Sequence, residues 1–416
     1  MIHCTYALAE NPAIKDKMLN WLRRFNIFCF LDSHGYPGRG FDWLAGAGAL
    51  RTIGPGDKQA LDRFVVSERW AFGHLAFELR HDAFGLADVP PDPIGFPGLH
   101  LFAPAVVLYA SGDTLHIEAP DPDAVWKELR ETALPPAATV QPVQMEATLD
   151  RKAYLGRIEA LLGHIHRGDC YEINFCQEFH GAVPGFNPLE VYRRLAAFSP
   201  TPFGGFYRLN DRYLLCASPE RFLQKRGGLL VAQPIKGTAR RDLANTAADT
   251  ELREGLRRSE KERSENVMVV DLMRNDLSQV CTEVTVPELF GLYTFPQVHQ
   301  MISTVQGRLK PGMGLSAVLD ATFPMGSMTG APKKRVLELI RQYEPTGRGL
   351  FSGSLGYFHE GDFDLNVVIR SLLYNAASGM LSYQVGSGIT AYCDPEAEWE
   401  ECRLKAVALE RALGNE

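Results

Sequence analysis

Two tight turns in the middle of this chain constrain its fold more than any other stretch. The alternating runs GGFYRL and RYLLCAS meet across Asn210-Asp211, and ERFLQK meets LLVAQPI at a turn on Gly227-Gly228. Connections that short make their strands antiparallel, since parallel neighbours need a crossover of a dozen residues or more. This region therefore speaks against a doubly wound sheet and for an α+β chain with large antiparallel sheets.

Other segments read as helices and strands around it. RKAYLGRIEALLGHIHRGD (151–169) puts Tyr154, Ile158, Leu161, Leu162 and Ile165 on one helical face, with Gly168 to end it. CYEINFCQEF (170–179) sets Tyr171, Ile173 and Phe175 against Glu172, Asn174 and Cys176, the period of a half-buried strand. Asn187 caps a further helix that Pro188 opens. In the first half, 26–33 and 100–110 read as strands, 57–66 and 123–134 as helices, and 89–98 as loop. The aperiodic stretch 134–144 separates an N-terminal α/β segment, 1–145, from the remainder, 146–416.

Charge and cysteine usage narrow the function classes. A net charge of −7 with both signs interspersed leaves no basic stripe for a phosphate backbone, which argues against nucleic acid as a partner. The eight cysteines show neither a C-x-x-C pair nor metal-ligand spacing, and read as reduced core thiols. Lacking an apolar leader or a long apolar window, the chain is expected to be soluble and cytoplasmic, with no membrane contact.

The stretch VAQPIKGTARR puts one ammonium, Lys236, between Ile235 and Gly237 at the end of a strand. In a two-residue hairpin at Gly227-Gly228, Glu220 faces Ile235 and lies diagonal to Lys236, and a loop one residue different sets the two opposite each other. On spacing alone the pair is either a surface cross-strand ion pair or a functional one. SEKERSENVMVVDLMRNDL carries Glu262 and Glu265 on a face that continues into Val269 and Leu272. DPEAEWEECRLKAVALERAL, capped by Asp394, repeats the pattern with Glu398 and Glu401. Such pairs raise their own pKa values unless a cation lies between them, and Mg²⁺ suits the case as a hard ion that takes carboxylates and substrate oxygens. Gly386-Ser387-Gly388 reads as a nest of backbone N–H groups for an anion. FPMGSMTGAPKKR lacks the G-x-x-x-x-G-K-[ST] register, which disfavours nucleotide hydrolysis.

Together GDCYEINFCQ, ASPERF, PIKGTARR, KERSENVMVVDLMRNDL, VHQMISTVQG, FPMGSMTGAPKKR, GSLGYF, NVVIRSL, GSGIT and EWEECRLK resemble the chorismate-utilising enzymes over about residues 150–416. FLDS and FDWLAGAGA resemble that family's first strands more faintly. The resemblance implies a sandwich of two large antiparallel sheets with helices outside, the N-terminal segment intertwined with it, and a deep active-site cleft. It implies Mg²⁺ held by Glu265 and Glu401, with Glu262 and Glu398 beside it, gripping the ring carboxylate of chorismate. Arg370, Lys405 and the amides of Gly386 and Gly388 would take carboxylates, and His299 and Ser327 would line the pocket.

Within the family, anthranilate synthases carry PIAGT, whereas PIKGT marks the members that aminate chorismate at C4. The resemblance then implies that Lys236 attacks C2 while the C4 hydroxyl leaves, with Glu220 as general acid. Ammonia adds at C4, the lysine is expelled, and 4-amino-4-deoxychorismate results, a precursor of p-aminobenzoate and folate. The attacking amine must be neutral, and Mg²⁺ and desolvation are expected to lower its pKa. No amidotransferase segment is visible, so ammonia is expected from a separate glutamine amidotransferase subunit. The alternative activity is that of anthranilate synthase component I, whose tyrosine against the substrate is Phe351 here. Glu172 departs from the pattern, standing where amine-transferring members more usually carry glutamine.

Overall fold

Asn210 adopts a left-handed backbone (φ 56°), as does Gly227 (φ 58°), and each reverses the chain in a tight turn. Phe203–Leu209 accordingly pairs antiparallel with Arg212–Ser218, and Arg221–Arg226 with Leu229–Gln233. The structure, a computed structural model, describes residues 1–9, 11–86, 88–135, 141–295 and 298–415. Of the boundary stretch 134–144, residues 136–140 lie outside the described residues.

Among the described residues every strand pairing is antiparallel, and 20 strands join in one hydrogen-bonded network. The two expected sheets are linked through one long strand. Leu99–Ser111 pairs along one edge with Trp43–Ile53, while its other edge takes Trp70–Leu75 at the start and Thr114–Ala119 at the end. One sheet continues through Ile27–Asp32, Phe203–Leu209, Arg212–Ser218, Ser371–Asn375 and Met380–Thr390 to Glu172–Ala182. The other runs through Ser354–His359, Asp362–Asn366, Arg221–Arg226 and Leu229–Gln233 to Val298–Leu309, which also pairs with Ile235–Arg240.

Side-chain alternation sorts the core into two layers. Phe28 and Phe30 pack with Met18, Trp21, Tyr154, Ile158, Leu195 and Leu409 on the outer helices. Cys29 and Leu31, one residue out of phase, pack with Phe72, Tyr207, Leu223 and Leu365 between the sheets. All eight cysteines are free, and six are buried. Among the described residues no helix is long and apolar enough to cross a membrane.

Candidate active site

A cleft of about 800 Å³ opens where the last strands of both sheets face two helices. Its walls bring together Lys236, Glu220, Arg370, Ser327, Gly386, Gly388, Glu262, Glu265, Glu401 and Lys405, residues spread over the chain from 220 to 405. The acidic helices, Glu260–Val280 and Pro395–Ala412, begin on caps: Ser259 accepts from the Glu262 N–H and Asp394 from that of Glu396.

The Gly227-Gly228 hairpin keeps its two-residue register through Gln224, Lys225 and Arg226, then slips at a bulge between Arg221 and Gln224. Glu220, 4% exposed, has the Ile235 N–H and the Ser327 hydroxyl as its polar neighbours, both favouring the charged carboxylate. Burial pushes its pKa up to about 7.

Lys236 pairs with Glu172, on the neighbouring sheet, rather than with Glu220. Their side chains are 10% and 4% exposed. Burial alone would lower the lysine pKa, but the carboxylates of Glu172 and Glu265 outweigh it and hold the ammonium above its ordinary value. Without a metal ion beside it the amine is therefore held up rather than depressed, because several carboxylates share one buried cation.

Gly388 makes room for that pair, since a Cβ there would stand 2.9 Å from Lys236 Nζ and 3.0 Å from Glu172 Oε1. The expected nest is absent. Gly386 and Gly388 continue an ordinary strand opposite Cys176 and Asn174, and neither takes a positive φ. The Gly386 carbonyl accepts from Lys405 Nζ at 2.7 Å.

The four glutamates gather around two lysines. Lys261 Nζ lies 3.4 Å from Glu398 Oε1 and 4.0 Å from Glu265 Oε1, and Lys405 Nζ 2.7 Å from Glu401 Oε1. Burial raises Glu262 and takes Glu265 up to about 7. Burial pushes Glu401 the same way, but Lys405 and Lys261 outweigh it and hold that carboxyl below its usual value. Glu398, 1% exposed, sits behind the cleft wall. Among the described residues no three acidic, cysteine or histidine side chains converge as a ready metal cage. Glu265 Oε1 is nevertheless buried without a hydrogen-bond partner, and an all-carboxylate donor set fits a hard dication such as Mg²⁺.

His299 does not line the cleft. Its ring is hydrogen-bonded to Asp249 at 3.1 Å and Thr294 at 3.0 Å, on the opposite face of Val298–Leu309 from Gln300, which does line it. Adjacent strand residues point to opposite faces, so the reading missed by one position. Gln300 is 1% exposed, and its Oε1 lacks a partner. Arg370 lines the cleft from a left-handed backbone (φ 51°), a conformation retained at a cost in non-glycine residues, with Glu220 as its charged neighbour. Arg241, just past the strand Ile235–Arg240, binds Asp249 at 2.9 Å.

A buried ion pair beneath the cleft had no sequence signal. Arg348, 1% exposed, pairs with Glu344 at 2.6 Å and donates to the carbonyls of Met328 and Asn174 at 2.7 and 2.8 Å. Glu344 in turn accepts from the Cys176 N–H at 2.9 Å. One guanidinium thus ties the Glu172 strand to the turn that carries Ser327.

This antiparallel architecture is that of the chorismate-utilising enzymes. Anthranilate synthase component I from Streptococcus pneumoniae superposes with a TM-score of 0.79 over 92% of each chain, at 24% identity. The menaquinone-specific isochorismate synthase MenF from Escherichia coli does so with 0.78, over 99% of this chain and 94% of that one, at 19% identity. The chain belongs to the chorismate binding enzyme family, whose sequence profile matches residues 40–411. Aminodeoxychorismate synthase component 1 of Klebsiella aerogenes is 39% identical over 285 residues, 68% of this chain and 62% of that protein. Anthranilate synthase component 1 of Thermus thermophilus is 34% identical over 357 residues, 82% of this chain and 76% of that protein. The match thus spans 62% and 56% of the length of the Klebsiella and Salmonella aminodeoxychorismate synthase components.

Proposed function

We propose that this chain is the chorismate-aminating component of an aminodeoxychorismate synthase, making 4-amino-4-deoxychorismate for p-aminobenzoate and folate synthesis. The observation that carries the reading is a buried lysine, Lys236, at the cleft wall of a protein in this family. Its proton passes to Glu172, its direct partner, and the free amine attacks C2 of chorismate. Both ring double bonds shift, C1=C2 to C1=C6 and C5=C6 to C4=C5, and the C4 hydroxyl leaves as water, taking a proton from Glu220. A carboxyl with a pKa near 7 is still substantially protonated at neutral pH, as a general acid requires. Ammonia then adds at C4, the C2–N bond breaks, and Lys236 recovers a proton.

Arg370 and Lys405 bind the substrate carboxylates, the guanidinium by a two-pronged contact. Glu265 and Glu401, with Glu262 and Glu398 beside them, would hold Mg²⁺, which when bound neutralises the ring carboxylate. Ammonia comes from a separate glutamine amidotransferase subunit, and the enzyme works in the cytoplasm. The similarity to the Thermus protein favours anthranilate synthase as the second reading, but Lys236 stands against it.

The test is incubation with chorismate, MgCl₂ and an ammonium salt, comparing wild type with Lys236→Ala. Wild type should give 4-amino-4-deoxychorismate and the variant should not. Anthranilate formed without an added lyase would favour the second reading, and an unaffected variant would remove Lys236 from the mechanism.

A further inference from the structure

Lys261 stands among the four glutamates with no part in the reaction above. It lies in the first turn of Glu260–Val280, with its ammonium 3.4 Å from Glu398 on the other helix and 4.0 Å from Glu265 on its own. Of the other two ammoniums of the cleft, Lys236 pairs with Glu172, and Lys405 with Glu401 of its own helix and with the Gly386 carbonyl. Lys261 is the lysine that bridges the carboxylates of the two acidic helices.

We propose that Lys261 is the resident counter-ion of this acidic pocket and that a divalent cation binds by displacing its ammonium. The inference rests on the metal reading made above. An ammonium and a dication cannot share the same carboxylates at a separation near 4 Å without strong repulsion in a partly buried site. The lysine has somewhere to go, because its side chain is 44% exposed and its four-carbon stem is flexible. Glu265 Oε1 marks the other half of the exchange: it is buried, lacks a hydrogen-bond partner, and has Lys261 only at the outer limit of ion pairing. Lys261 therefore sets how tightly the metal binds, by having to leave first.

Calorimetric titration of chorismate-free protein with MgCl₂ tests this on wild type, Lys261→Met, Lys261→Arg and, as a control, Glu265→Gln. The methionine variant keeps the stem without the charge and should bind Mg²⁺ with a Kd lower by about tenfold, roughly 1.4 kcal/mol. The arginine variant should match wild type, and Glu265→Gln should bind weakly or not at all. In thermal melts without metal, Lys261→Met should melt below wild type and gain more from added MgCl₂. If wild type binds Mg²⁺ and Lys261→Met binds it equally or more weakly, the displacement proposal is overturned while the metal reading survives. If neither protein binds although circular dichroism reports intact folds, the metal reading falls and this inference with it.

Discussion

Lys236 and Glu172 meet over Gly388, an ammonium and a carboxylate from two strands brought together where only a glycine leaves room for both. The added methyl of Gly388→Ala would press on Nζ at 2.9 Å and Oε1 at 3.0 Å, both flexible side-chain ends. The variant should therefore fold, with the pair displaced by several tenths of an ångström. A misplacement of about 1 Å can cost about a hundredfold in rate, and a shift of several tenths a part of that. Chorismate turnover should fall at least tenfold while the urea midpoint stays near that of wild type, and unchanged turnover would mean the amine need not sit there.

The same pair makes a stability prediction independent of chemistry. Lys236→Met strands the Glu172 carboxylate in a buried site, a change that typically costs about 3–5 kcal/mol. Adding Glu172→Gln removes the orphaned charge, so the double variant should be more stable than Lys236→Met alone. Urea denaturation at pH 7 of wild type, Lys236→Met, Glu172→Gln and the double variant gives the coupling, and additive effects would show that the ion pair is not formed in solution.

Glu220 should impose a pH dependence on folding. Its carboxyl is raised from 4.5 to about 7 in the folded state, so the native protein holds that proton more tightly than the unfolded chain. The associated stability is fully present below pH 4.5 and is lost as the pH rises through 7. At 1.36 kcal/mol per unit, the loss is on the order of 3 kcal/mol by pH 8. Glu220→Gln should flatten that part of the difference between unfolding free energies at pH 5 and pH 8, and an unchanged slope would assign the titration to other groups.

What could be read from the sequence follows the range of the interactions concerned. The turns at Asn210-Asp211 and Gly227-Gly228 are local, and so are the caps at Asn187 and Asp394; each left a sequence mark that the structure reproduces. The partner of Lys236 was not local. The hairpin brought Glu220 near it, but the choice of Glu172 depends on packing the far strand of the other sheet alongside, which no spacing rule within the hairpin contains. Glu344 follows the end of the helix Lys333–Tyr343 and Arg348 lies beyond Pro345 and Gly347, so no helical spacing links them, and their partners are carbonyls and an amide at Asn174, Cys176 and Met328. The nest at Gly386-Ser387-Gly388 failed for the opposite reason: glycines permit a left-handed turn but equally permit close approach within a flat strand, and here they do the second.

His299 and Gln300 turn that lesson into a last test. Strand alternation sends the histidine toward Asp249 and Thr294 and the glutamine toward the cleft, where a buried carbonyl oxygen lacks a donor. A buried acceptor left alone carries a desolvation penalty of about 1–3 kcal/mol, which a bound substrate can relieve by donating a hydroxyl or amine hydrogen. Gln300→Leu removes the acceptor while keeping the volume, so the folded protein should be no less stable and kcat/KM for chorismate should drop by about tenfold or more. His299→Ala instead removes a hydrogen bond to Asp249, the carboxylate that also anchors Arg241, and should lower stability by about 1–2 kcal/mol with a smaller effect on kcat/KM. Steady-state kinetics and urea melts on the two variants separate these outcomes. Were the effects exchanged, with the histidine variant losing turnover and the glutamine variant only stability, the substrate-facing side of this strand would be the one now assigned to the Asp249 contact.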